Sequence, residues 1–317
     1  MDLVYTTYRH QNTLKKSPDW LQEGNSLCCV SSRNTVLFTT STPLSGTQCC
    51  CILNFVPIGW LFSLGSDSPL ADWGCHLYCA DLNLPWEPSL VTSSEAAITS
   101  LAWDANGTRF VCGDLNGQVS LWEMEDHSIS DWKQIASNRY NHERFIAAKF
   151  FLKTRPISLN SDLVDSLLYT EKFSSDEPSW SRNSPEGCVL VSSTGLLVTI
   201  ALNSDQEPVF RVASVGAGRR RIAHADLATT REGQLILATS GTQAPIVVYL
   251  VTAGFNMAGE LSVRVNSHSS FSLKTEDKAA VSCLRFLLSD STESLVIGLG
   301  GVGGGRVQVW DLHFKPR

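Results

Sequence analysis

The chain has 317 residues, of which 43% are hydrophobic, and its formal net charge is −6. A chain of this length and composition can bury a sizeable core, which excludes a wholly disordered protein. The acidic balance excludes a surface whose main task is neutralising phosphates, so we do not expect nucleic acid as a direct partner.

The first part of the sequence predicts neither secretion nor a membrane span. Residues 1–8 lack the basic start, apolar core and small-residue cleavage site of a secretory signal. We therefore expect an intracellular protein whose ten cysteines form no disulfide framework. The most apolar stretch, residues 49–64, contains Pro57 and Gly59 and is shorter than the ~20 apolar residues that cross a bilayer.

Short strands separated by turn residues recur along the chain, and the copy at residues 98–135 is the most complete. Its first two strands are joined through Asn106-Gly107, and an Asn-Gly pair between apolar runs is typical of a tight β-turn. The chain turns again at Asn116-Gly117 and continues in a third strand that reaches Trp122. With a fourth strand at residues 132–135, this copy predicts one small antiparallel sheet.

The same order of strands recurs before and after this segment. The predicted strands are residues 27–30, 35–39 and 76–82; residues 145–151, 188–191 and 196–202; residues 222–227, 234–239 and 246–251; and residues 281–286, 294–298 and 306–311. The copies have about the 40 to 45 residues of one blade of a β-propeller. Tryptophan ends the third strand in two of them, and Trp310-Asp311 is the dipeptide that names the WD repeat.

We therefore predict an all-β protein, a WD-repeat β-propeller in a single domain over residues 1–317. About five blades are recognisable, and the completeness of the ring is left open. An insertion at residues 49–75 and a long loop at residues 159–186 fall outside the repeats. An all-β sandwich is the structural alternative, and the blade-length period favours the propeller. The predicted structural positions of the blades are Trp103, Asp104, Trp122, Trp310 and Asp311.

No residue pattern that could carry chemistry is complete. Residues 298–303 have the G-x-G-x-x-G spacing of a dinucleotide site, but another strand follows instead of a helix, so we interpret them as a hairpin loop. The cysteines and histidine at positions 49–51, 75, 76 and 79 lack a second well-spaced cysteine pair, so we expect no metal. His224 and Asp226 nominate neither a nucleophile nor an oxyanion hole. We expect no catalytic residues and no cofactor.

Several short motifs occur in an order that is more specific than a generic WD repeat. They are Met1-Asp2-Leu3, residues 95–104, Gly117-Gln118, Trp122, residues 124–127, Trp132, Arg219 to Arg221 before residues 223–226, and Ala238-Thr239. This order resembles the N-terminal propeller of the subunit 16 family of Mediator of RNA polymerase II transcription. The resemblance covers most of the chain apart from residues 49–75, and it implies a short or fragmentary form of that N-terminal portion.

The resemblance implies a non-enzymatic scaffold subunit in the tail module of Mediator, a nuclear coactivator that links DNA-bound regulators to RNA polymerase II. The implied partners are other Mediator subunits and transcription activators, with RNA polymerase II reached indirectly and no membrane involved. Arg219, Arg220 and Arg221 form a compact basic run and are the candidate partner-binding residues, with a solvated loop as the alternative. The competing functions are a cytoplasmic WD-repeat adaptor, such as a ubiquitin-ligase substrate receptor, and an enzyme built on a propeller.

Overall fold

The fold was obtained as a computed structural model, and its described part consists of β-strands and the turns that join them. The structure describes residues 2–6, 28–31, 33, 35–40, 74–81, 88–125, 128–151, 187–203, 207–216, 221–230, 233–241, 245–255, 260–271, 280–288, 293–300 and 306–312. The predicted insertion, apart from residues 74 and 75, and the predicted loop at residues 159–186 lie outside the described residues. Within these ranges no helix is long and apolar enough to span a membrane.

The strands form five antiparallel sheets of four strands each, which we call blades 1 to 5. Blade 1 contains β2 (Cys28–Val30), β3 (Thr35–Thr40), β4 (His76–Asp81) and β5 (Ser89–Ser93). Blade 2 contains β6 (Ile98–Trp103), β7 (Arg109–Asp114), β8 (Gln118–Met124) and β9 (Trp132–Arg139). Blade 3 contains β10 (Phe145–Phe151), β11 (Gly187–Ser192), β12 (Leu196–Leu202) and β13 (Pro208–Ser214). Blade 4 contains β14 (His224–Thr229), β15 (Leu235–Ser240), β16 (Ile246–Phe255) and β17 (Leu261–Phe271).

Blade 5 combines the two ends of the described chain. Three of its strands are consecutive: β18 (Ala280–Leu288), β19 (Glu293–Gly300) and β20 (Arg306–Asp311). The fourth is β1 (Asp2–Thr6), which lies antiparallel to β20 with Leu3 opposite Trp310 and Thr6 opposite Gln308. Since a strand edge carries unpaired N–H and C=O groups, the addition of β1 covers the outer edge of this blade.

Turns within the blades are held by short polar side chains. The carboxylate of Asp104, which is 4% exposed, accepts hydrogen bonds from the backbone N–H of Thr108 at 2.8 Å and of Arg109 at 3.0 Å. The carboxylate of Asp114 accepts from the N–H of Asn116 and of Gln118 in the next turn. Asx turns of this kind satisfy backbone donors that would otherwise be buried without a partner. They fix the two tight turns of blade 2 at the ends of its strands.

The hydrophobic core is divided among the spaces between neighbouring blades. Four clusters join blades 1 and 2, 2 and 3, 3 and 4, and 4 and 5. Because blades 3 and 4 pack on both faces, their second strands, β11 and β15, are buried along their whole length. This explains why these strands read in the sequence as short continuous apolar runs instead of alternating patterns. The outer strands are less buried: β9 is mostly exposed, and β5 and β13 combine exposed with half-buried residues.

The prediction of an all-β WD-repeat propeller is confirmed, and the predicted strands coincide with observed ones to within a few residues. The first strand of blade 4 begins at His224, two residues later than predicted. The N–H of Ile222 donates to Ser193 in a turn of blade 3, and the N–H of Ala223 donates to Ser240 at the end of β15. The sequence reasoning missed the outer strands β5, β13 and β17 and the contribution of β1. A sandwich of two sheets is excluded, since the strands form five separate sheets.

Candidate protein-docking surface

Asp226 of the His-x-Asp motif is part of the contact between blades 4 and 5. Asp226 lies on the first strand of blade 4 and forms an ion pair with Arg285 of blade 5 at 2.7 Å. Its second carboxylate oxygen accepts a hydrogen bond of 2.7 Å from the backbone N–H of Phe286. Burial raises the pKa of Asp226, while the charge of Arg285 and the N–H of Phe286 act in the opposite direction. The carboxylate therefore joins two blades and is engaged by structural partners.

The buried thiols are poor nucleophiles, because nucleophilic attack requires the thiolate. Burial raises the pKa of Cys79 to about 12 and that of Cys112 to about 12, and it raises the pKa of Cys188 further. Among the described residues, no three His, Cys, Asp or Glu side chains come together as a metal site. Nδ1 of His76 lies instead 2.8 Å from the hydroxyl of Ser93.

The glycine-rich motif begins inside a strand. Gly298 belongs to β19, and β20 follows the motif at Arg306. A Cβ atom at Gly298 would lie 2.5 Å from Sγ of Cys283, so close packing of β18 against β19 requires glycine here. Residues 301–305 lie outside the described residues. What the structure shows of the motif is a strand packed against its neighbour.

The predicted blade positions Trp103 and Trp122, both in blade 2, belong to one aromatic cluster. The ring of Phe110, which is fully buried, stacks on Trp122 at 6.1 Å between centroids and meets Trp103 and Trp132 edge-on at 5.8 and 5.0 Å. Nε1 of Trp103 donates a hydrogen bond of 3.1 Å to the carbonyl oxygen of Cys29 in blade 1. These rings therefore join two blades. The indole of Trp122 also approaches the thiol of Cys112 on the neighbouring strand.

The corresponding positions in blade 5 are Trp310 and Asp311, on strand β20. The ring of Trp310 packs against the core between blades 4 and 5, and its Nε1 donates to the side-chain oxygen of Gln308 at 3.1 Å. Asp311 lies in backbone register with Ser294 of β19 and with Asp2 of β1. Both residues thus lie where the N-terminal strand joins the blade.

The connections between blades and the turns between second and third strands meet at one end of the propeller, which we call the connection face. Arg221 is exposed in the connection from blade 3 to blade 4, whereas Arg219 and Arg220 lie outside the described residues. The next residue, Ile222, is buried, and its N–H donates to the carbonyl oxygen of Ser193 at 2.7 Å. The basic run therefore ends next to Ile222, which its burial and this hydrogen bond hold in place on the connection face.

A cavity of about 260 Å³ opens on the same face, beside the third blade. Its wall includes Glu143 from the connection between blades 2 and 3, and Thr194, whose hydroxyl donates a hydrogen bond to that carboxylate. The rest of the wall is formed by Gly195, Leu196, Ser214, Val215 and Gly216. At this volume the cavity is smaller than a typical small-molecule pocket.

The outer strands of blades 1 to 4, namely β5, β9, β13 and β17, form a second surface, which we call the rim. Although the chain as a whole has a net charge of −6, these four strands contain no aspartate or glutamate. Their charged residues are Lys133, Arg139, Arg211 and Arg264. Leu90 and Val212 are also exposed here, at 51% and 43%. A basic rim with exposed apolar side chains is suited to binding protein segments.

Arg211 and Arg264 did not emerge from sequence reasoning, because the strands that carry them were not predicted. A signal exists in the sequence for one of the two strands. Residues 261–266 alternate apolar with polar residues, which is typical of a strand with one face solvated, whereas residues 208–214 do not alternate. The pattern is short and lacks a turn residue of the Asn-Gly type ahead of it, so the alternation alone was not distinctive.

In the described part of the chain, five blades of four antiparallel strands, packed side by side through shared cores, define this protein as a WD-repeat β-propeller. A solved structure with a similar fold is Raptor from Chaetomium thermophilum, at a TM-score of 0.50 and 10% sequence identity, over 92% of this chain and 20% of that one. At that identity the likeness concerns the fold alone. No protein-family model matches the chain.

In sequence, the chain is similar to Mediator of RNA polymerase II transcription subunit 16, as the motifs predicted. The protein of that name from Aedes aegypti is 29% identical over 98% of this chain, and the one from Drosophila melanogaster is 26% identical over 75% of it. The chain spans 39% of the first relative and 32% of the second. The similarity thus includes nearly the whole chain but less than half of each relative.

Proposed function

We propose that this chain is the propeller portion of a non-enzymatic Mediator subunit, a nuclear scaffold of the tail module that helps to link transcription activators to RNA polymerase II. The observation that carries the proposal is the similarity to a Mediator subunit 16 over 98% of the chain, which includes every blade. The fold supports it, because a propeller offers a rigid disc with several independent surfaces for partners.

The chemistry of the described residues agrees with a scaffold. The carboxylate of Asp226 bridges two blades, and the thiols of Cys79, Cys112 and Cys188 have raised pKa values because they are buried. The carboxylate therefore stabilises the packing of two blades, and the thiols are part of the buried core. Residues 1–317 are proposed to form one propeller domain, with the connection face and the rim as its docking surfaces and Arg219 to Arg221 as candidate contacts.

Affinity purification tests this proposal. The tagged chain would be expressed in cells of its own organism and isolated from nuclear extract, and the co-purifying proteins would be identified by mass spectrometry. We expect other Mediator subunits. A matched control is the variant Phe110→Ala, which removes the centre of the buried aromatic cluster and reports what an imperfectly folded bait collects.

Two results would count against the proposal. Ubiquitin-ligase subunits without Mediator subunits would support the cytoplasmic adaptor instead. If a soluble and folded bait recovered neither set, the propeller alone would not carry the docking surface for Mediator. Fluorescence imaging of the tagged chain adds an independent measurement, because the proposal requires accumulation in the nucleus.

A further inference from the structure

The turn between β8 and β9 of blade 2 contains serines in an acidic stretch of the sequence. No lysine or arginine occurs between Arg109 and Lys133, whereas five aspartates and glutamates do. Three of these acidic residues, at positions 123, 125 and 126, shortly precede Ser128, and Asp131 follows it by three residues. The sequence around Ser128 is therefore acidic on both sides.

The structure places Ser128 at the surface of this turn. Glu125, Ser130 and Asp131 are exposed, and Ser128 is partly exposed. The Oγ atoms of Ser128 and Ser130 lie 2.7 Å apart, and the hydroxyl of Ser130 donates to the carboxylate of Asp131 at 3.2 Å. Because these bonds are made at the surface, water can replace them, and they do not keep the hydroxyl of Ser128 from an enzyme.

The backbone of the turn can open without disturbing the sheet. The N–H of Ser128 donates to the carbonyl oxygen of Glu125 at 2.8 Å, and the N–H of Asp131 donates to the carbonyl oxygen of Ser128 at 3.3 Å. Neither bond belongs to the ladder between β8 and β9, which ends with Met124 opposite Trp132. An enzyme that binds its substrate as an extended segment displaces these two surface bonds and leaves the blade intact.

The charge pattern selects one class of protein kinase. Kinases discriminate among substrates by complementary charge, and an acid-directed kinase requires an acidic residue three positions after the serine. Ser128 has Asp131 at that position, and it has Glu125 three positions before it. Ser130 has Lys133 at the corresponding position, so the pattern favours Ser128. A kinase that requires arginine shortly before the serine finds none here.

We propose that Ser128 is phosphorylated by an acid-directed serine/threonine kinase. The γ-phosphoryl group of ATP is transferred to Oγ of Ser128: the bond between the γ-phosphorus and the bridging oxygen breaks, ADP leaves, and the hydroxyl proton passes to the catalytic base of the kinase. The phosphate adds a charge of about −1.5 to −2. Because the turn leads directly into β9, which contains Lys133 and Arg139, the modification offsets the positive charge of this part of the rim. This inference goes beyond the proposed place in Mediator and does not depend on it.

The first test is phosphorylation of the purified chain in vitro. The chain is incubated with ATP and either casein kinase 2, which is acid-directed, or the catalytic subunit of protein kinase A, which requires arginine. Trypsin releases the site in one peptide, residues 110–133, whose fragmentation in the mass spectrometer distinguishes Ser128 from Ser120 and Ser130. We expect phosphate on Ser128 with casein kinase 2 alone.

Matched variants separate the proposed site from other surface groups. Ser128→Ala removes the acceptor, and Ser137→Ala removes another exposed serine, on β9, which has no acidic residue within three positions. Asp131→Asn is expected to lower the rate of phosphorylation by about tenfold, the effect of one lost charge-assisted contact with the kinase. Glu207→Gln makes the same change of charge in the turn before β13 and should leave the rate unchanged. Circular dichroism of each variant checks that the fold is retained.

The second test asks whether the site is used in cells. The tagged chain is isolated from cells of its own organism in the presence of phosphatase inhibitors, and the same tryptic peptide is analysed. We expect phosphate on Ser128, at a level that falls severalfold when the cells are treated with an inhibitor of casein kinase 2.

Four results would overturn the inference. They are the absence of phosphate from Ser128 in either test, phosphate on Ser130 in its place, an unchanged rate in Asp131→Asn, and equal modification by the kinase that requires arginine. Neither test needs another Mediator subunit, so their failure is distinct from a failure to recover Mediator.

Discussion

Two glycines at equivalent turns of blades 2 and 3 offer a sensitive test of how the turns are packed. Gly117 and Gly195 both have positive φ, at 82° and 89°, and each accepts a backbone hydrogen bond of 2.8 Å from the connection that follows its blade. The surroundings differ. A Cβ atom would lie 1.8 Å from the carbonyl oxygen of Tyr140 at Gly117, but 3.2 Å from the nearest atom at Gly195.

Alanine at either position costs about 1–2 kcal/mol for the left-handed backbone, offset by about 0.4–1 kcal/mol from lower entropy of the unfolded chain. For Gly195→Ala this leaves a net loss of about 1 kcal/mol. At Gly117 the carbonyl of Tyr140 must move, which disturbs its bond from Glu143 and the bond from Tyr140 to Gly117. Two backbone hydrogen bonds add about 1–3 kcal/mol, so Gly117→Ala should cost roughly 3 kcal/mol in all.

Urea unfolding followed by tryptophan fluorescence measures both variants against the parent chain. The midpoint should fall clearly for Gly117→Ala and slightly for Gly195→Ala, with unchanged slopes. Equal losses would refute the reasoning, because the two sites share the same backbone strain and differ only in the space available to a Cβ atom. A large loss in Gly195→Ala alone would mean that the turn of blade 3 is packed more tightly than the structure shows.

Further predictions concern the core, the ion pair and the thiols. Phe110→Ala should lower the free energy of unfolding by about 3–5 kcal/mol, against less than about 0.5 kcal/mol for the exposed Leu90→Ala, as measured by urea unfolding. Asp226→Ala should cost about 2–3 kcal/mol, since it leaves a backbone N–H without its acceptor. Burial raises the pKa of Asp226, so its protonation stabilises the folded state at acidic pH. This contribution to the free energy of unfolding is lost as the pH rises through that pKa. The pH dependence of stability should therefore change in Asp226→Asn. With a pKa of about 12, Cys112 should resist iodoacetamide at about pH 8 until urea unfolds the chain, and labelling of the native protein at this residue would contradict its burial.

The interior strands of the blades were predictable because local sequence and final environment agree. Strands β11 and β15 are short apolar runs, and both of their faces are covered in the structure. The turn at Asn116-Gly117 was predicted from its residue types, and Gly117 has the positive φ that such a turn needs. A regular period of these elements was enough to predict a propeller of about five blades.

The docking surface could not be predicted in the same way. Arg211 and Arg264 are far apart in sequence, and they belong to one basic rim only because β13 and β17 are both outer strands of their blades. The single basic run that the sequence offers, at residues 219–221, has only Arg221 among the described residues. A run of like charges in a sequence indicates a charged surface only where consecutive residues lie on the same surface.

What the sequence by itself determined is the set of local choices: which runs form strands, where the tight turns fall, and that several copies of one unit follow each other. What only the tertiary structure decided is the set of contacts between distant segments. The pairing of β1 with β20, the bridge from Asp226 to Arg285 and the basic rim all belong to this second set. The physical reason is that backbone hydrogen bonds between strands are the same for every sequence, so the choice of partner depends on packing and charge in three dimensions.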